Sequence, residues 1–253
     1  MTLEIIPIKV PRKRNKFDLF ESIKDFDFRK DDILVVSSKF VSMSEGAVVK
    51  LSGVVPSPRA HRLASECQMD AVIAELVLRE SNYLLQGVPG FLLAIKDGMI
   101  APNAGIDRSN VPKGYAILYP RMPFESARNL RKRIRDSLGV RVGVVISDSR
   151  LMPTRKGTTG VAIAVSGFNP VEDLRGRKDL FGNRLRVTLK AVADGFATMA
   201  VAVMGEGSEA TPAAVVRGAS VTWTEKNLSW KDMAVSPEID IYLSARTDLT
   251  KLS

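Results

Sequence analysis

The chain has 253 residues, 45% hydrophobic and 26% charged, a mix that excludes wholesale disorder and is long enough to bury a sizeable core. One cysteine (Cys67) and one histidine (His61) exclude an internal disulfide framework and a Cys/His zinc cluster. A net charge of +9 points to anionic partners, while an aromatic share of only 6% argues against the base-stacking platforms of single-strand binders.

In chain order, residues 3–8 read as an edge strand, because Pro7 has no amide for a ladder. Residues 11–16 form a basic loop. Residues 33–36 are a buried strand ending at Ser37 and Ser38. Ser57-Pro58 is an N-cap followed by proline at the first helical position. Leu63, Cys67, Ala71, Ala74 and Leu78 continue from it at helical spacing, with Cys67 as an inert packing residue. Residues 91–95 and 115–118 are short strands flanking the polar loop 103–110. A basic helix over 124–138 stops at Gly139. Residues 142–146 are a buried strand that delivers Ser147, Asp148 and Ser149 at its end. Further strands are expected over 161–165 and 185–189. A small-residue helix over 193–204 runs into Gly205-Glu206-Gly207-Ser208, and residues 213–216 make a last core strand. No linker divides the chain. The expected architecture is a compact α+β body over residues 1–218, a mixed sheet with packed helices, and a peripheral C-terminal extension over 219–253. No stretch is long and apolar enough to span a membrane and the start lacks a signal-peptide core, so a cytoplasmic location is expected.

Three acids stand at element ends beside small or amide residues: Asp107, Asp148 and Glu206. Converging carboxylates repel, by about 4 kcal/mol per pair at 4 Å and an effective dielectric of 20. A divalent cation would reverse that sign and would suit phosphoryl transfer. Each acid taken alone reads more readily as a turn cap. Gly205 and Gly207 would let backbone amides approach phosphate, or simply close a turn. Arg155-Lys156 and Arg175-Gly176-Arg177-Lys178 put cations on turns, either solvated or available to an anion. No Walker A or GxGxxG pattern is present.

These stretches also carry a resemblance. NAGIDRSNVPKG, RVGVVISDS, TTGVAIAVSG, DLRGRKDLFGN and MGEG with a following AAVVRG resemble, in order and spacing, the coenzyme F420-0:L-glutamate ligase family over about residues 7–218. The resemblance implies an intertwined homodimer that uses GTP to join L-glutamate to F420-0, the deazaflavin precursor, through a γ-glutamyl amide bond and an acyl phosphate. It also implies two divalent metals (magnesium or manganese) and a potassium ion. Carried over by motif, Asp107 and Asp148 match the first metal position; Ser149, where the family has threonine, and Glu206 match the second. Nucleotide contacts fall on Val10, Pro11, Arg12, Lys13, Ser37, Ser38, Asn110, Met204, Gly205, Glu206, Gly207, Ser208, Glu209, Ala210 and Thr211. Arg155 and Asp148 match catalytic positions. Two departures stand out. Met43 replaces a lysine expected near the nucleotide, with Lys39 or Lys50 as substitutes. Leu151-Met152 replaces a Gly-Arg pair tied to acceptor recognition. Two other readings remain open: a ligase of this fold with another carboxylate acceptor, and, less favoured, a basic nucleic-acid binder using residues 128–135.

Overall fold

The run Ile33-Leu34-Val35-Val36 shows no polar alternation because both of its faces are covered; all four side chains are fully buried. The computed structural model describes residues 2–236 and 238–244. The fold is mixed α+β. Its elements in chain order are β1 (Glu4–Ile8), β2 (Asp32–Ser37), α1 (Ser38–Glu45), β3 (Val48–Lys50), α2 (Pro58–Glu66), α3 (Ala71–Glu80), β4 (Tyr83–Val88), β5 (Phe91–Lys96), β6 (Met99–Pro102), β7 (Tyr115–Ile117), α4 (Pro123–Leu138), β8 (Val142–Leu151), β9 (Thr158–Ser166), β10 (Val171–Asp173), β11 (Leu189–Ala191), α5 (Val192–Met204), β12 (Ala213–Arg217) and the short α6 (Ile241–Ser244).

Five strands form the central sheet in the order β1-β12-β2-β8-β9. β2 and β8 are parallel; every other pairing in this sheet is antiparallel. β1 is an edge strand, as Pro7 requires. Leu34, Val36, Val144 and Ile146 point to one face, where α4 contributes Ala127, Leu130 and Ile134. Ile33, Val35, Val145 and Val216 point to the other, where α5 contributes Phe196, Ala197 and Ala200. At about 1.5–3 kcal/mol per fully buried aliphatic side chain, these two layers supply most of the drive to fold.

A second cluster of elements lies between β2–α1 and α4 in sequence. α2 and α3 cover the β4-β5-β6 sheet through Ala60, Ala64, Ile73, Leu76, Val77 and Leu92. The single helical stripe expected from Ser57 onward is two helices. Gln68 takes a left-handed φ of 47°, and Asp70 caps α3 by accepting the Val72 amide. Cys67 is buried at this break, against the hairpin glycine Gly87: a Cβ there would lie 2.3 Å from its sulfur. Glu75 of α3 joins the two helices, accepting the Ser57 amide at 2.9 Å and Arg79 Nε at 2.8 Å.

Three expectations need correction. The strand expected over 185–189 begins later, at Leu189. Residues 174–188 form an arm whose Leu180, Phe181 and Val187 are exposed, so its apolar spacing has no core to meet. Asp148 does not end its strand; β8 runs on to Leu151. The tail is not wholly peripheral: Leu228 is buried under the α5 layer, and Trp230 lies against the turn at Gly98. Residues 237 and 245–253 of that tail lie outside the described residues. Among the described residues no helix is long and apolar enough to cross a membrane.

Ser57 and Arg79 hold the Glu75 carboxyl at about 2, below the ordinary 4.5. A depressed carboxyl stabilises the fold above its unfolded value and loses that contribution as pH falls through the folded one. Glu75→Gln should therefore be less stable than the parent at pH 7, with the gap closing between pH 4.5 and 2. Urea melts across that range check it, and a gap independent of pH would refute it.

Candidate active site

Where β2 ends, α1 starts, so Ser37 and Ser38 sit beside Ser147 and Asp148 of the parallel neighbour β8; Ser37 and Ser147 are register partners. The pairing of β8 with β9 shifts between Ile146 and Ser147, leaving Ile163 as an extra residue on β9. Beyond this bulge β8 carries Asp148 and Ser149 out of the core. α5 lies against β9 at Gly160, where an added Cβ would be 2.3 Å from the Ala197 carbonyl oxygen. Thr198 Oγ1 donates to the Gly160 carbonyl, and Asp194 accepts the Ala162 amide at 2.8 Å. This contact aims the C-terminal end of α5, and with it the loop from Gly205, at the same end of the sheet.

The result is one cleft of about 480 Å³. It is walled by the loop at Val10, Pro11, Arg12 and Lys13, by Ser37, Ser38 and Lys39 at the start of α1, by Asp107 and Asn110, by Asp148 and Ser149, and by the run Met204 to Pro212. Every residue assigned above to nucleotide or metal is in this lining. Arg155 is not: it sits on the exposed turn between β8 and β9, with its amide bonded to the Met152 carbonyl. The lining also includes Met43, which stands in place of the expected lysine, together with Phe40, Val111 and Pro212, which motif reading did not assign, and Lys39 but not Lys50.

Polar contacts brace the walls. Asn110, held at a left-handed φ of 57°, donates from Nδ2 to the Gly207 carbonyl at 3.0 Å and so joins opposite sides of the cleft. Val10 donates its amide to the Ala210 carbonyl, and Thr211 Oγ1 donates to the Met204 carbonyl at 2.5 Å. Glu209 accepts the Gly207 amide at 2.8 Å. Lys39 pairs with Asp107 at 2.6 Å, and Ser109 donates its amide and hydroxyl to the same carboxylate. Burial opposes ionisation of Asp107, but Lys39 and Ser109 outweigh it and hold the carboxyl below its ordinary range. Asp148 accepts Ser38 Oγ at 2.7 Å and Arg150 Nε at 2.9 Å. Ser149 Oγ donates to Glu206 Oε1 at 2.5 Å.

The lining carries three cations (Arg12, Lys13, Lys39) against four carboxylates (Asp107, Asp148, Glu206, Glu209), and with Arg150 paired behind Asp148 the cleft is near balance in a chain of net charge +9. Its donors are oxygens, the set preferred by hard divalent cations. Among the described residues, no three His, Cys, Asp or Glu side chains are grouped to hold a metal by themselves. Such ions complete their shells with water and substrate phosphate, so the pair Ser149–Glu206 and the flanking Asp107 and Asp148 fit that chemistry as partial shells.

A family model described as F420-0:Gamma-glutamyl ligase matches residues 8–218. The chain belongs to this family. It is a ligase, and its matched region spans the whole lining of the cleft. A relative named Coenzyme F420:L-glutamate ligase from Methanopyrus kandleri is 41% identical over 220 residues, covering 86% of this chain and 87% of its own. Relatives of the same name from Methanocaldococcus jannaschii and Archaeoglobus fulgidus are 37% and 41% identical, covering 95% and 87% of this chain and 96% and 90% of theirs. In this ligase the basic face of α4 is spent internally. Arg133 pairs with Asp18 and Glu21, Arg131 with Glu225, and Lys132 with Asp136. That leaves little of it free for a nucleic-acid backbone.

Because the clash at Gly160 is with helix backbone, Gly160→Ala forces α5 off β9. The expected cost is about 1–3 kcal/mol in urea denaturation, the range for overpacking, together with weaker nucleotide binding in calorimetry. Unchanged stability would show that α5 does not set the cleft.

Proposed function

We propose that this ligase joins L-glutamate to F420-0 through a γ-glutamyl amide bond, at the expense of GTP and through an acyl phosphate. The observation that carries the reading is the cleft itself: it gathers four carboxylates, hydroxyl oxygens and the basic side chains of Arg12, Lys13 and Lys39 in one place, a set suited to a triphosphate that arrives with divalent cations. The α1 N-terminus supports it, since Ser37 makes no side-chain cap bond to the amides of the first turn, and a helix start of this kind suits an anion. Arg12 and Lys13 on one wall supply positive charge for phosphate oxygens, and the loop from Gly205 to Ala210 brings backbone close to the ligand.

In the proposed reaction a carboxylate oxygen of the acceptor bonds to the γ-phosphorus while the bond to the β-bridging oxygen breaks and GDP leaves. The neutral amine of glutamate then bonds to the acyl carbon, phosphate leaves, and the nitrogen loses a proton. Asp107 and Asp148 would hold one divalent cation, and Ser149 with Glu206 a second, and such ions neutralise charge on the transferring phosphoryl group. Asn110 keeps the Gly207 loop in place through the cycle. Potassium completes the proposed ion set. Arg155, outside the cleft lining, would reach the reacting groups only through movement of its turn. The exposed apolar arm, with Leu180, Phe181 and Val187 in solvent, supports the homodimer, since such side chains are rarely left uncovered together. A cytoplasmic setting completes the proposal.

Purified protein supplied with F420-0, L-glutamate, GTP and manganese should release GDP and phosphate in step with glutamyl product by mass spectrometry. Asp148→Asn should lower kcat at least about 100-fold; normal turnover by that variant would remove the reading. Met43 lines the cleft as a neutral thioether. Met43→Lys should lower KM for the nucleotide about three- to tenfold, the effect of roughly 1 kcal/mol of added attraction. An unchanged or higher KM would place the phosphates away from this residue.

A further inference from the structure

Arg150 is 6% exposed, and nothing in the reading above uses it. Its Nε donates to Asp148 Oδ2 at 2.9 Å and its Nη1 to the Ile100 carbonyl of β6 at 2.9 Å; its guanidinium lies 5.9 Å from the centre of the Tyr119 ring. Its Nη2 is buried without a hydrogen-bond partner. Burying a guanidinium is costly: apolar residues in place of both Arg150 and Asp148 would fill the same space at least as favourably, whereas loss of Arg150 alone leaves Asp148 without its partner. The charge is therefore retained for something it touches, and among the described residues its one ion pair is with Asp148. A carboxylate turns easily about its last torsion. Ser38 Oγ on Oδ1 and Arg150 Nε on Oδ2 grip this one from both sides, leaving a lone pair on each oxygen for a ligand.

We propose that Arg150 is a positioning residue: locked between β6 and Tyr119, it holds the Asp148 carboxylate in the orientation that the cleft needs. The proposal rests on the nucleotide-ligase reading of the cleft. It requires the planar fork, since one nitrogen must reach Asp148 while another reaches Ile100, and a lysine cannot do both.

Four proteins test it: the parent, Arg150→Met, Asp148→Asn and the double variant, with Arg150→Lys as a fifth should Arg150→Met fail to fold. Arg150→Met should lower kcat about 30- to 100-fold, with the calorimetric Kd for magnesium–GTP weakened no further than in Asp148→Asn. Arg150→Lys should lower kcat about tenfold. In the Asp148→Asn background, Arg150→Met should cost less than a further twofold. A full multiplicative loss in that background, a loss of nucleotide affinity larger than that of Asp148→Asn, or parental kcat in Arg150→Lys would each overturn the proposal. Should the parent neither turn over nor bind GTP, the ligase reading fails separately. The coupling is then judged from melting temperatures: Arg150→Met should lower the Tm more in the parent than in Asp148→Asn, and equal drops would overturn it.

Discussion

Four carboxylates sharing one cleft is the arrangement on which the rest of this structure depends. Left alone they would push the walls apart. The chain restrains them with local partners: Lys39 on Asp107, Arg150 on Asp148, the Ser149 hydroxyl on Glu206 and the Gly207 amide on Glu209. These restraints are weak beside what they sit on. The cleft is held open by the two apolar layers beneath it, where side chains of β2, β8 and β12 are buried on both faces. Repulsion is tolerated at the rim because burial in the interior outweighs it, and what is tolerated becomes affinity for cations and for the anions they carry.

The sheet order explains why the cleft lies where it does. β2 and β8 are parallel neighbours whose polar residues come together at one end of the pairing: β2 gives way to α1 at Ser37-Ser38, and β8, past its bulge, presents Ser147-Asp148-Ser149 before running on to Leu151. Ligand crevices form at such ends because helix starts and loops converge there without a side-chain layer to fill the space. α5 adds the third wall because Gly160 lets the helix backbone come down onto β9. The α2–α3 body adds the fourth through the loop with Asp107 and Asn110. Arg150 spans the same division, joining β8 to the Ile100 carbonyl of β6. The C-terminal segment crosses it again, with Leu228 in the α5 layer and Trp230 against Gly98.

Several features were legible without coordinates because their cause is local. Proline in β1 marks an edge; a continuous aliphatic run marks a strand covered on both sides; Gly139 at a left-handed φ of 69° ends α4. Other features were hidden because their cause is remote. α1 is short and begins inside a serine pair that reads as a strand end. The break between α2 and α3 depends on Gln68 adopting a left-handed conformation, which nothing in the helical spacing announces. Lys39 could be weighed against Lys50 only as a candidate; in the structure Lys39, paired with Asp107, lines the cleft and Lys50 does not. Arg150 drew no assignment from its motif, and its near-complete burial comes from Tyr119 and Ile100, which lie 31 and 50 positions away in the chain.

By itself, the sequence determined the chemistry: which acids, glycines and basic residues are available, in what order, and the family motifs they compose. Only the tertiary structure decided which of them share a space. It brought Val10 to Lys13, Ser37 to Lys39, Asp107, Asn110, Asp148, Ser149 and the Met204 to Pro212 run to one cleft, and left Arg155 outside its lining. The physical reason is that side-chain type is written residue by residue, whereas proximity is set by how strands pair and how closely helices pack on them, and both depend on contacts far apart along the chain.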